Sequence, residues 1–140
     1  MSLLDVTDLH VSFSTEDGLV RAVQGVSFSI DAGKTLGIVG ESGSGKSVAT
    51  QTVMGLTRGA DISGTAMFEG RDLLTMSEHD LRSVRGKQIG MIFQDPLSSL
   101  HPQYKVGWQI VEMIQAHEDV STKQAAKRAV DLLGLVGIPQ

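Results

Sequence analysis

The sequence predicts an α/β chain: a small antiparallel sheet, then a strand–loop–helix unit, then two helices. Three observations predict it. Leu9, Val11 and Phe13 alternate with polar neighbours, as do Val26, Phe28 and Ile30, which is the period of half-buried strands. Residues 35–39 form an apolar run without alternation, the pattern of a strand buried on both faces, and a glycine-rich loop and a helical pattern follow it. Beyond Pro102 the spacing changes to four, at Val106, Ile110 and Ile114 with Val111 beside them, which reads as a helix.

The remaining elements follow in order. Glu16-Asp17-Gly18 turns the chain between the first two strands, and Asp31-Ala32-Gly33 turns it again. Lys46 opens a helix through Leu56, with Val48, Ala49, Val53 and Leu56 as its apolar face and Gly55 and Gly59 ending it. Ser63-Gly64 precedes a strand over 65–68, and Glu69-Gly70 makes a tight turn. Ser77 with Asp80 resembles a capping box and starts a short helix to about Arg85. Residues 89–93 read as a second dense apolar strand, closed by Gln94-Asp95-Pro96. Ser121-Thr122-Lys123-Gln124 is a capping box for a last helix, whose inner face is Ala125, Ala129, Leu132 and Leu133 and whose C′ residue is Gly134.

Composition narrows the function. The chain has 140 residues, is 41% hydrophobic and 20% charged, carries a formal net charge of −4 and contains no Cys. Disulfides, Cys-ligated zinc and thiol catalysis are excluded. No apolar run reaches the ~20 residues of a membrane span, and no basic-then-apolar leader stands at the N-terminus. A slightly acidic chain argues against nucleic acid as a partner. His10, His79, His101 and His117 show no metal-ligand spacing, and residues 78–87 mix charges of both signs as a solvated face does. The 16 glycines, about 11% against a usual ~7%, concentrate between Gly33 and Gly45.

That concentration contains Gly40-Glu41-Ser42-Gly43-Ser44-Gly45-Lys46-Ser47, a full match to G-x-x-x-x-G-K-[ST]. The glycines let the backbone turn and approach an anion without a Cβ. Successive N–H groups form a nest for phosphate oxygens, and the following helix points its positive end at them. Lys46 supplies charge to the outer phosphates, and the Ser47 hydroxyl is a hard ligand for Mg²⁺. Gly40, Ser42, Gly43, Ser44, Gly45, Lys46, Ser47 and Val48 are the cofactor-binding candidates. The side chains of Glu41, Ser42 and Ser44 read as solvated. A Gly/Ser linker is the alternative, but linkers are not set between a buried strand and a helix.

The residues around the loop carry a resemblance. The lead-in Gly18-Leu19-Val20-Arg21-Ala22-Val23-Gln24-Gly25-Val26-Ser27-Phe28-Ser29-Ile30, the phosphate loop with Leu36-Gly37-Ile38-Val39 ahead of it, and Ile92-Phe93-Gln94-Asp95-Pro96-Leu97-Ser98-Ser99-Leu100-His101-Pro102 together resemble the ATP-binding subunits of ABC transporters. Within them they are most similar to the oligopeptide/dipeptide/nickel importer group, which more often has Asn at the position of His101. The resemblance implies a P-loop NTPase (RecA-like) core with an N-terminal antiparallel β subdomain and the start of an α-helical subdomain. It implies a division at 1–97, the β subdomain plus the P-loop core, and 98–140, the end of the Q-loop and the start of the helical subdomain. Phe13 then matches the aromatic that stacks on adenine, with Val23 packing beside base or ribose, and Gln94 matches the Q-loop glutamine that serves Mg²⁺ or the attacking water. The implied cofactors are ATP and Mg²⁺, with Lys46 and Gln94 as catalytic groups and Ser47 and Gln94 on the metal. The implied partners are transmembrane permease subunits, met through residues 94–102, and a second nucleotide-binding subunit in a head-to-tail dimer. The implied place is the cytoplasmic face of the membrane. Trp108, Ile110 and Ile114 read as core by default, in a region that the family turns toward its membrane partner.

The family pattern also includes a signature motif, a Walker B Asp-Glu and an H-loop histidine, none of which occurs in these 140 residues. The expectation is an N-terminal, truncated part of a cassette that binds nucleotide and hydrolyses it poorly. An apolar strand ending in Asp95 could also serve as a Walker B segment in another P-loop kinase or NTPase, although a turn or N-cap suits Asp95 better. A non-catalytic nucleotide-binding fragment is the third reading.

Overall fold

The computed structural model describes residues 2–95 and 99–139. Contacts divide the chain between residues 82 and 83. The expected division at 97/98, and Pro96, Leu97 and Ser98 of the expected Q-loop, lie outside the described residues.

The first unit is built on a four-stranded antiparallel sheet in the order β2-β1-β3-β4. Strand β1 is Ser2–Thr15, β2 Gly18–Asp31, β3 Ala60–Phe68 and β4 Arg71–Asp72. The alternating residues of the lead-in form β1 and β2, and the turn at residues 16–17 joins them with Gly18 at φ +123°. β3 begins earlier than residue 65, because residues 60–63 pair with Phe13, Ser12, Val11 and His10. A bulge between Thr7 and His10 resets the phase of β1, so that Val6, Leu9 and Val11 are all buried although 6 and 9 differ in parity. Asp8 takes φ +49° there, and Gly64 faces it: a Cβ at Gly64 would lie 2.5 Å from the Asp8 carbonyl oxygen. Glu69 and Gly70, at φ +48° and +80°, make the tight turn into β4.

Helix α1, Lys46–Val53, contacts β1 and β2. Ala49, Thr52, Val53 and Met54 are buried, and they join Val6, Leu9, Val11, Val23, Ala66 and Phe68 in the core. The helix ends three residues before Leu56, since Gly55 at φ +64° closes it: Gly55 N–H donates to the Thr52 carbonyl at 2.8 Å and Leu56 N–H to that of Gln51 at 2.9 Å. Helix α2 is Glu78–Val84, and the Ser77 hydroxyl before it accepts from Asp80 N–H at 3.1 Å.

The second unit contains α3, Val106–His117, and α4, Thr122–Leu135, which contact each other. The capping box forms at α4: Ser121 Oγ accepts from Gln124 N–H, and Gln124 Oε1 accepts from Ser121 N–H. Ala125 and Ala129 are buried as expected, whereas Leu132 is exposed. Gly134 lies inside the helix rather than at C′. That place is taken by Gly137 at φ +81°, with Ile138 N–H on the Leu133 carbonyl at 3.0 Å.

Two expectations fail. Residues 35–39 and 89–93 are not strands; the latter has a single bridge, Arg85 to Ile89. A strand is defined by the ladder beside it, and among the described residues neither segment has one. Val39 is 93% exposed and Ile92 96%, so neither segment is doubly buried.

Candidate phosphate-binding site

The glycine-rich loop joins the run 35–39 to α1, and its shape follows from its glycines. Gly43 and Gly45 take φ +80° and +90°, and Ser44 N–H closes a turn on the Glu41 carbonyl at 3.2 Å. A Cβ on Gly45 would lie 2.3 Å from the Ala22 carbonyl oxygen, so only glycine lets the loop seat against β2. A Cβ on Gly40 would lie 2.6 Å from Ser44 Oγ. The loop is therefore a cradle shaped by missing side chains.

Lys46 occupies its focus. Its Nζ donates to the carbonyls of Gly40 and Glu41, both at 2.6 Å, and to Ser44 Oγ at 3.1 Å. Gly45 gives α1 no side-chain cap and the first turn has no acidic residue, so neither places a carboxylate on the positive end of the helix beside the loop. Ser47 is exposed in that first turn, Val48 is half-buried and Ser42 is exposed. An ammonium, a hydroxyl and the backbone N–H groups of a loop opened by three glycines are the donor set that a polyphosphate fits. Among the described residues no group of three or more His, Asp or Glu could hold a metal. A divalent ion at the Ser47 hydroxyl would draw further oxygens from the phosphates themselves.

A cavity of about 470 Å³ adjoins the loop, lined among others by Val23, Phe28, Leu36, Gly40 and Lys46. Val23 is buried against the loop, its Cγ2 3.5 Å from where a Gly45 Cβ would stand. Phe13 does not line this cavity; it sits half-buried in β1, opposite Val20 and Ala60. One wall of the cavity, Phe28, has no mark in the sequence as a site residue. Ser44 stands among the candidates, but its hydroxyl accepts from Lys46 Nζ rather than being only solvated. The alternation that made Phe28 a strand residue could not show what its side chain faces.

Gln94 and Asp95 belong to the second unit and are exposed. That unit carries an aromatic series, His101–Tyr104–Trp108, with ring centroids 4.8 and 5.0 Å apart. Gln109 ties it down, its amide accepting from His101 N–H at 2.8 Å and donating to the carbonyls of His101 and Tyr104 at 3.0 Å. Trp108 is half exposed, not core as the default reading had it. No helix of the described residues is long and apolar enough to cross a membrane.

The family model described as ABC transporter matches residues 23–139. The chain is 55% identical over 140 residues to the oligopeptide transport ATP-binding protein OppD of Bacillus subtilis, covering 98% of this chain and 39% of that one. It is 49% identical to the dipeptide transport ATP-binding protein DppD of Lactococcus lactis, covering 98% and 40%. The chain thus spans about two fifths of the length of these curated relatives. In three dimensions it matches an ATP-binding cassette solved as a dimer in a post-hydrolysis state with ADP and Pi, at a TM-score of 0.77. That match covers 94% of this chain and 56% of the other at 19% identity, and it establishes the fold: the antiparallel β subdomain and helical region of an ABC cassette, a RecA-like P-loop NTPase.

Proposed function

This chain belongs to the ABC transporter family, and from that premise we propose that it is the nucleotide-binding part of an importer ATPase for short peptides, binding Mg·ATP at the loop 40–47. The observation that carries the proposal is the Lys46 ammonium held at the focus of a cradle of glycines. The peptide class is supported by relatives named for oligopeptide and dipeptide transport.

In this reading the loop N–H groups from Gly40 to Val48, those of Ser42 and Ser44 among them, and the end of α1 take the phosphates. Lys46 balances the charge of the outer two. Ser47 provides an oxygen to Mg²⁺, which neutralises phosphate charge when bound. By family resemblance Gln94 serves Mg²⁺ or the attacking water through its amide. Val23, and Phe13 by its aromatic face, serve the nucleoside end. Phosphoryl transfer needs positioning more than covalent chemistry, so the contribution of these residues is to hold the triphosphate in register. Head-to-tail pairing with a second nucleotide-binding subunit completes the reading; the structural relative was solved as a dimer. A permease is engaged through residues 94–102 at the cytoplasmic face of the membrane.

The test is calorimetric titration with Mg·ATP. Lys46→Ala removes a charge-assisted contact to phosphate and is expected to weaken binding by about tenfold or more. Equal affinity in the wild type and Lys46→Ala sinks the proposal.

A further inference from the structure

We propose that the Ser44 hydroxyl is a stand-in for a phosphate oxygen on Lys46, a built-in competitor that nucleotide must displace; this rests on the phosphate-loop reading above. A lysine ammonium has exactly three N–H donors. All three are engaged within the loop: two on the carbonyls of Gly40 and Glu41 at 2.6 Å, one on Ser44 Oγ at 3.1 Å. A phosphate oxygen that reaches Lys46 must therefore take the place of one of these acceptors.

The three are not equivalent. The two carbonyls are backbone, and that of Glu41 also accepts Ser44 N–H at 3.2 Å, which ties it into the turn. Moving either one means rebuilding the loop. The Ser44 oxygen makes the longest of the three bonds and leaves by rotation about one side-chain torsion. It is the acceptor that yields. The loop also leaves room for it: Gly40, by lacking a Cβ, clears the position 2.6 Å from Ser44 Oγ. Glycine at 40 thus admits the hydroxyl as well as the ligand.

The expected sign is the reverse of that for a residue that binds the phosphate itself. Ser44→Ala leaves one Lys46 donor without its internal partner, so nucleotide gains that donor without first breaking a bond. Calorimetric titration with Mg·ATP should show affinity about two- to tenfold tighter than the wild type, the worth of one net hydrogen bond. Ser44→Thr keeps the hydroxyl and should restore wild-type affinity. Hydrogen exchange of the Lys46 ammonium, followed by ¹⁵N NMR without nucleotide, should be faster in Ser44→Ala than in the wild type. If Lys46-dependent binding is present and Ser44→Ala leaves it unchanged or weakens it, the inference is wrong while the loop reading stands. If the wild type shows no Lys46-dependent binding, the loop reading falls and takes this inference with it.

Discussion

At the scale of single residues, the site depends on what is missing from Gly45. Its φ of +90° lies in the region that L side chains rarely adopt, and its Cβ position is 2.3 Å from the Ala22 carbonyl oxygen. Backbone on both sides cannot rotate away, so Gly45→Ala must move the loop off β2. Strain of this kind costs about 1–3 kcal/mol. The same displacement carries Lys46 away from the carbonyls that hold it. Gly45→Ala is therefore expected to lower unfolding stability in urea by that order and to lose Mg·ATP binding together. A variant with wild-type stability and affinity would show that the seat on Ala22 is not what shapes the loop. Gly43, also at positive φ, has no atom within 4 Å of its Cβ position, so conformation and not space is what it needs.

At the scale of elements, local chemistry set some features and long-range pairing set others. The capping box at Ser121 depends on residues three apart, and both of its bonds form. Replacing Ser121 by Ala removes the acceptor for Gln124 N–H, at a cost of about 1 kcal/mol. The expected reading is a loss of helical signal in far-UV circular dichroism and earlier thermal melting; no change in either would mean that packing alone holds α4. The glycine stop of α1 and the turn before β4 were legible for the same local reason. Gly134 and Gly137, three residues apart, offer the same residue type for C′, and only Gly137 turns left-handed. The bulge at Asp8 could not be read either. It lets Val6 and Leu9 share the core across a change of parity, and nothing in the strand's own residues announces it. The motif residues 40–47 were legible because their spacing is chemical. Their bonding was not: the Ser44–Lys46 contact depends on how the loop folds back.

At the scale of the whole chain, the two apolar segments that form no strand matter most. Residues 35–39 and 89–93 have the composition of buried strands, but a parallel-type strand is stable only beside partners. Leu36, Ile38 and Val39 in the first unit, and Ile92 and Phe93 in the second, are exposed. Exposed apolar side chains on backbone that joins no ladder are a surface for pairing with another chain. The 140-residue chain is therefore expected to self-associate in solution as its concentration rises. Val39 and Ile92 are the most exposed of these side chains, at 93% and 96%, and neither belongs to the core. The double variant Val39→Ser, Ile92→Ser removes apolar surface without opening a cavity, so its unfolding free energy should stay within about 0.5 kcal/mol of the wild type. Multi-angle light scattering across a dilution series should then show the double variant with a lower mean mass than the wild type at each concentration. Equal masses would place the association elsewhere on the chain. A wild type that stays monomeric at every concentration would show that these segments do not pair at all.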